Sequence, residues 1–186
     1  LIIGENIIIK QSKIYQKNIK NEEVFLMDNH YNHFKKIDAH SHIGKFGSPF
    51  NIDFDLSRLT EQMEEYNIEK TILCPAGCHL NEELKTAYQA APDKIIPLCW
   101  VNANEGQEAY DMLEHYLRDE NFAGVKMQPL FDAFTADSPM VDPIMEIAEA
   151  YKKPVFIHCG HPPFSLPWQI GLLAERHPHV PTVMIH

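Results

Sequence analysis

The sequence predicts an α/β fold of the (β/α)8 TIM-barrel type, of which about six strands and five helices are present. Three observations carry that prediction. From residue 36 onward, strand and helix signals alternate, as they do in a parallel sheet built from βαβ crossovers. The segments IIPLCWV, PVFIH and TVMIH are apolar on both faces, as strands covered on both sides are. The βα units recur about every 30 residues, so eight of them would fill a barrel of about 250 residues. An open, doubly wound sheet is the competing arrangement. The glycines of SHIGKFGSP, after the first strand, lack the spacing of a phosphate-binding turn and do not support it.

Each element follows from its local pattern. Residues 36–40 form the first strand. Residues 57–66 form a helix with Leu59, Met63 and Tyr66 on one face and Asp55 or Ser57 as its cap. The second strand covers 70–74. Asn81 is expected to cap a helix over 82–90, whose first turn carries acids where the helix dipole favours them. The third strand covers 94–100, the third helix 107–119 and the brief fourth strand 124–127. Pro139 and Pro143 frame the start of a helix running to about residue 151. The fifth strand covers 154–158, the fifth helix 167–176 and the sixth strand 182–186. Residues 1–33 stand outside this rhythm and are read as an N-terminal extension, a hairpin or partly disordered arm. Residues 34–186 are read as a partial barrel.

Composition narrows the function classes. Sixteen basic against 26 acidic residues leave a net charge of −10, which argues against a nucleic-acid partner. No run approaches the roughly 20 apolar residues of a membrane span. Cys74, Cys78, Cys99 and Cys159 fit no zinc-finger spacing and read as reduced thiols, which points to a cytoplasmic protein. The expected partner is a small-molecule substrate, with neither nucleic acid nor membrane. The sequence ends on His186 directly after an apolar strand, which is unlike a natural domain boundary, and the barrel's strands seven and eight are missing from it. Strand six would then be an open edge and strand one would lack its closing neighbour. Such a chain would form a homo-oligomer with another copy, need the missing segment, or be inert.

The histidines carry the chemistry. With 11 histidines in 186 residues, about 0.6 H-x-H pairs arise by chance, so the motif alone means little. His177 and His179 form such a pair in a polar turn and read as a solvated surface feature. His40 and His42 differ by position. They sit at the carboxyl end of the first strand, where a barrel gathers its active-site residues. Residues i and i+2 of a strand project together, and neutral imidazoles suit Zn2+, with Mn2+ or Fe2+ as alternatives. Asp38, two residues earlier, is placed on the same face, where it would orient a ligand from behind. His158 and His186 end the fifth and sixth strands, so both are expected on the same rim. Lys126 ends the fourth strand and has two readings. It reaches solvent or a carboxylate, or it is aimed into the metal site, as a substrate contact or a carboxylated ligand. His161, in the loop after His158, is a candidate metal or substrate contact.

The segments IDAHSHIG, GVK ending at Lys126, PVFIHCG around His158 and MIH ending at His186 together resemble the amidohydrolase superfamily. The resemblance runs from about Lys36 to the last residue and is nearest the amidohydrolase-2 group of hydrolases and metal-dependent decarboxylases. It implies that His40, His42 and His158 bind metal, and that His186 binds metal or contacts the activated water. Two departures stand beside it. The family's aspartate after strand eight has no counterpart here, and Gln128 stands where relatives often carry histidine. The related TatD-like nucleases also open with D-x-H-x-H, but their G-E-I-G-L-D segment is absent.

The expected function is therefore metal-dependent hydrolysis of a C–N bond (amide or cyclic amide) or an ester of a small organic molecule by a metal-activated water. His186 would act as the catalytic residue that stabilises charge or relays a proton. Non-oxidative decarboxylation by the same site is the alternative, and an inactive or partner-completed fragment is the non-enzymatic one.

Overall fold

The structure is a computed structural model that describes residues 2–3, 6–9, 33–47 and 50–185. Its strands are β1 (Ile2–Ile3), β2 (Asn6–Ile9), β3 (Lys36–Phe46), β4 (Ile52–Phe54), β5 (Ile68–Pro75), β6 (Ile95–Trp100), β7 (Gly124–Met127), β8 (Val155–His158) and β9 (Thr182–Ile185). The helices are α1 (Leu56–Glu65), α2 (Asn81–Ala90), α3 (Gln107–Arg118), α4 (Pro129–Asp132), α5 (Asp142–Ala150) and α6 (Pro167–Arg176). The strands form one mixed sheet in the order β1-β2-β3-β5-β6-β7-β8-β9, with β4 folded back on β3. From β3 to β9 every step along this path is parallel and crosses over through a helix, which gives a half-barrel with its helices outside.

The predicted α/β barrel plan is present, with three local differences. The first strand is 11 residues long rather than five, because its end turns into a hairpin with β4. Its far edge is not open: β2 lies parallel to it, with Ile7 opposite Lys36 and Ile9 opposite Asp38. The rest of the proposed extension, residues 10–32, lies outside the described residues. Asn81 does not cap its helix. Asp55 does cap α1, accepting from the Arg58 N–H at 2.9 Å, but Asn81 is already inside α2 and its side chain turns to β6. Its Oδ1 accepts the Trp100 N–H at 2.9 Å, and its Nδ2 donates to the Trp100 carbonyl at 2.9 Å. One buried amide therefore satisfies both backbone groups where the sheet ladder ends.

Two apolar layers follow from the strand period. Leu73, Cys99, Val125, Met127, Val155 and Ile157 face the helices in the main core. Cys74, Leu98, Phe156 and Ile185 fill the inner side of the half-barrel. Gly124 is where β7 can approach its neighbours, since a Cβ there would lie 2.8 Å from the Pro154 carbonyl oxygen and 2.9 Å from Leu98 Cδ2. No described helix is long and apolar enough to cross a membrane.

Candidate metal centre

Strand β3 delivers the histidine pair through a bulge. Asp38 stands opposite Thr71 and Ser41 opposite Leu73, so three steps on β3 match two on β5. The bulge reverses the facing of the strand. Asp38 and Ser41 share the helix-facing side with Thr71 and Leu73, while His42 shares the inner side with Cys74. Asp38 is thus not on the face of His42, as simple alternation predicts. Its buried carboxylate instead braces the bulge: it accepts from the His40 N–H at 3.1 Å and from the Ser41 hydroxyl, with the Thr71 hydroxyl at 3.5 Å.

The two imidazoles converge. His40 Nε2 and His42 Nε2 are 3.0 Å apart, with the rings edge to face. His42 Nδ1 lies 2.9 Å from the Pro75 carbonyl oxygen. That carbonyl can only accept, so Nδ1 carries the proton, and in the neutral ring Nε2 presents its lone pair. A backbone carbonyl behind one ring nitrogen is how metal-binding histidines are commonly oriented. The donor chemistry and the convergence of the two Nε2 atoms fit a divalent ion.

Trp100 and Lys126 lie beside the pair. The Trp100 ring centroid is 6.1 Å from that of His42, and Lys126 Nζ is 5.7 Å from the centre of the Trp100 ring. Lys126 is 0% exposed, which removes the reading of a lysine reaching into solvent. Among the described residues its ammonium has no hydrogen-bond partner. Burial pulls its pKa down to about 8 against the opposing pull of Cys74 and Asp132. Asp132, after β7, accepts the Trp100 Nε1–H at 2.8 Å, and burial pushes its carboxyl up to about 6.

His158 ends β8 opposite Ile185, and its ring stacks on His161 with centroids 4.8 Å apart. The structure thus brings together His40 with His42, and His158 with His161. Among the described residues, neither pair belongs to a tight group of three donors. His186 lies outside the described residues. His177, read as solvated, is largely buried and holds Asp142 Oδ1 at 2.9 Å from its Nε2; His179 is exposed. Trp100, Asp132 and Asn81 were not anticipated as parts of the site. A tryptophan closing a strand, at the position matching Lys126 on the next, was the available signal.

The comparisons with known proteins bear on the family and the fold. A family model described as amidohydrolase matches residues 37–186. No curated protein matches. Among solved structures, a manganese-bound 5-carboxyvanillate decarboxylase from Novosphingobium aromaticivorans superposes with a TM-score of 0.67 at 14% identity, covering 82% of this chain and 65% of its own. A 2,6-dihydroxybenzoate decarboxylase from Rhizobium gives 0.60 at 17% identity, covering 81% and 65%. An amidohydrolase II structure gives 0.63 at 15% identity, covering 78% and 65%. The chain therefore spans just under two thirds of the length of these structures, and at such identities the likeness is one of fold.

Proposed function

The chain belongs to the amidohydrolase family through residues 37–186, and from that premise we propose that it is a metal-dependent enzyme that decarboxylates a small aromatic or unsaturated acid. The observation that carries this reading is Lys126. A buried ammonium with no hydrogen-bond partner among the described residues, on the same tryptophan as His42, suits an anionic substrate group. A carboxylate supplies that group, whereas a neutral amide or ester leaves the cation unneutralised.

In this reading His40, His42 and His158 hold the divalent ion. Bound there, the ion supplies Lewis acidity toward a substrate oxygen. Imidazole donors accept Zn2+, Mn2+ or Fe2+, and manganese, present in the matched 5-carboxyvanillate decarboxylase, is the first to test. Lys126 binds and orients the carboxylate, and the Trp100 ring forms a flat wall against which an aromatic ring can lie. Loss of CO2 leaves an electron pair on the former carboxylate-bearing carbon, which must take up a proton. His186 is assigned that proton transfer, and His161 a contact to the substrate edge. Hydrolysis of a C–N or ester bond is the second reading, favoured by the description of the family itself.

The test is an assay with added Mn2+ on 5-carboxyvanillate, 2,6-dihydroxybenzoate and a panel of aryl amides and cyclic amides. Release of CO2 with the decarboxylated arene as product supports the proposal. Amide cleavage without CO2 assigns the chain to hydrolysis instead.

A further inference from the structure

A second group of donors shares no residue with the histidine pair. Cys78 and His79, in the loop after β5, and Glu105, in the 3-10 turn Ala103–Glu105 after β6, place one sulfur, one ring nitrogen and one carboxylate oxygen within 4.8 Å of one another. It is the one such three-donor group among the described residues.

The loops that carry these donors are held in place. Asn81 Nδ2 donates to the Cys78 carbonyl at 3.1 Å and to the Trp100 carbonyl at 2.9 Å, tying the cysteine loop to the end of β6. The Leu80 N–H closes the loop onto the Gly77 carbonyl at 3.1 Å. Asn102 Nδ2 lies 3.4 Å from Glu105 Oε1, and His79 Nε2 is 3.4 Å from the same oxygen. Burial first, then the charges of Asp132 and Glu105, push the Cys78 thiol up to about 11. Two carboxylates, Glu105 and Asp132, thus act on the sulfur, while Lys126 and His79 act as cations on Asp132.

We propose that Cys78, His79 and Glu105 form a second divalent-metal site, separate from His40 and His42, that takes Zn2+ or a similar borderline ion. A thiolate, an imidazole and a carboxylate are the ligand types zinc uses, and three of them leave a position open for water. The sulfur donor disfavours Mg2+ and Ca2+, which select oxygen. On binding, the thiol proton leaves to solvent and the sulfur becomes the ligand. A plain His79–Glu105 surface pair is the rival explanation, and it gives Cys78 no part.

The two are separated by titrating the whole protein with Co2+, whose bond to a thiolate gives a charge-transfer absorption that nitrogen and oxygen ligands do not. The expected result is such a band that saturates by two equivalents in the parent, where the histidine pair also takes Co2+, and by one equivalent where that pair is removed. It should vanish in Cys78→Ser, weaken at least tenfold in apparent affinity in Glu105→Gln, and persist in the His40→Ala/His42→Ala variant. Absence of the band in the parent protein, or its survival in Cys78→Ser, overturns the proposal. Loss of the band in the His40→Ala/His42→Ala variant alone would move it to the other site and overturn it equally.

Discussion

His40 and His42 bring their Nε2 atoms to 3.0 Å on a strand whose pairing slips by one residue just beside them. Regular alternation would place Asp38, His40 and His42 on one face. The bulge removes Asp38 to the other face, where its carboxylate holds the His40 N–H and the Ser41 hydroxyl. The histidine pair is set by that brace from behind and by the Pro75 carbonyl at the side.

Replacing Asp38 with alanine therefore has a defined outcome. The His40 N–H and Ser41 hydroxyl lose a buried acceptor, which costs about 1–3 kcal/mol in denaturant unfolding. Metal affinity at the pair falls by about 10–100-fold, as measured by titration. An unchanged affinity would mean that the bulge holds its shape without the carboxylate.

Lys126 makes stability depend on pH. Its folded pKa of about 8 is below the ordinary 10.5. Between those values the unfolded chain binds more protons, so stability rises with pH across that window. Lys126→Met should flatten the rise and stabilise the protein at neutral pH by up to about 3 kcal/mol. The same change should raise KM for a carboxylate substrate, which a purely structural lysine would not do. Chemical unfolding at a series of pH values, with steady-state kinetics, measures both.

Gly124→Ala tests the close approach of β7. The added methyl meets the Pro154 carbonyl and Leu98 at contact distances no Cβ tolerates. The expected loss is about 1–3 kcal/mol in denaturant unfolding.

Much of this was legible in the sequence, for reasons that can be named. Strands β6, β8 and β9 are apolar on both faces, and α1, α3 and α6 carry their own periodicity or end signals, so their placement needed no tertiary information. The position of Lys126 near a strand end, and of His40 and His42 close to where β3 leaves its parallel ladder with β5, followed from the same rhythm. What alternation could not reveal was the bulge in β3, because an extra residue in a ladder depends on the neighbouring strand. The turn of Asn81 away from its own helix has a related cause. An asparagine before a helix usually caps it, but here Trp100 offers two unsatisfied backbone groups across the loop, and the amide satisfies those instead. The cluster at Cys78, His79 and Glu105 joins two loops from different βα units, and no spacing along the chain announces it.

The most direct test is the metal content of the histidine pair, measured in the Cys78→Ser background so that the cysteine loop contributes nothing. After loading with Mn2+ and dialysis, the account predicts close to one equivalent in the protein with His40 and His42 intact. It predicts almost none in the His40→Ala/His42→Ala variant, with the fold retained by circular dichroism. Equal metal in both proteins would contradict the assignment of His40 and His42 as ligands.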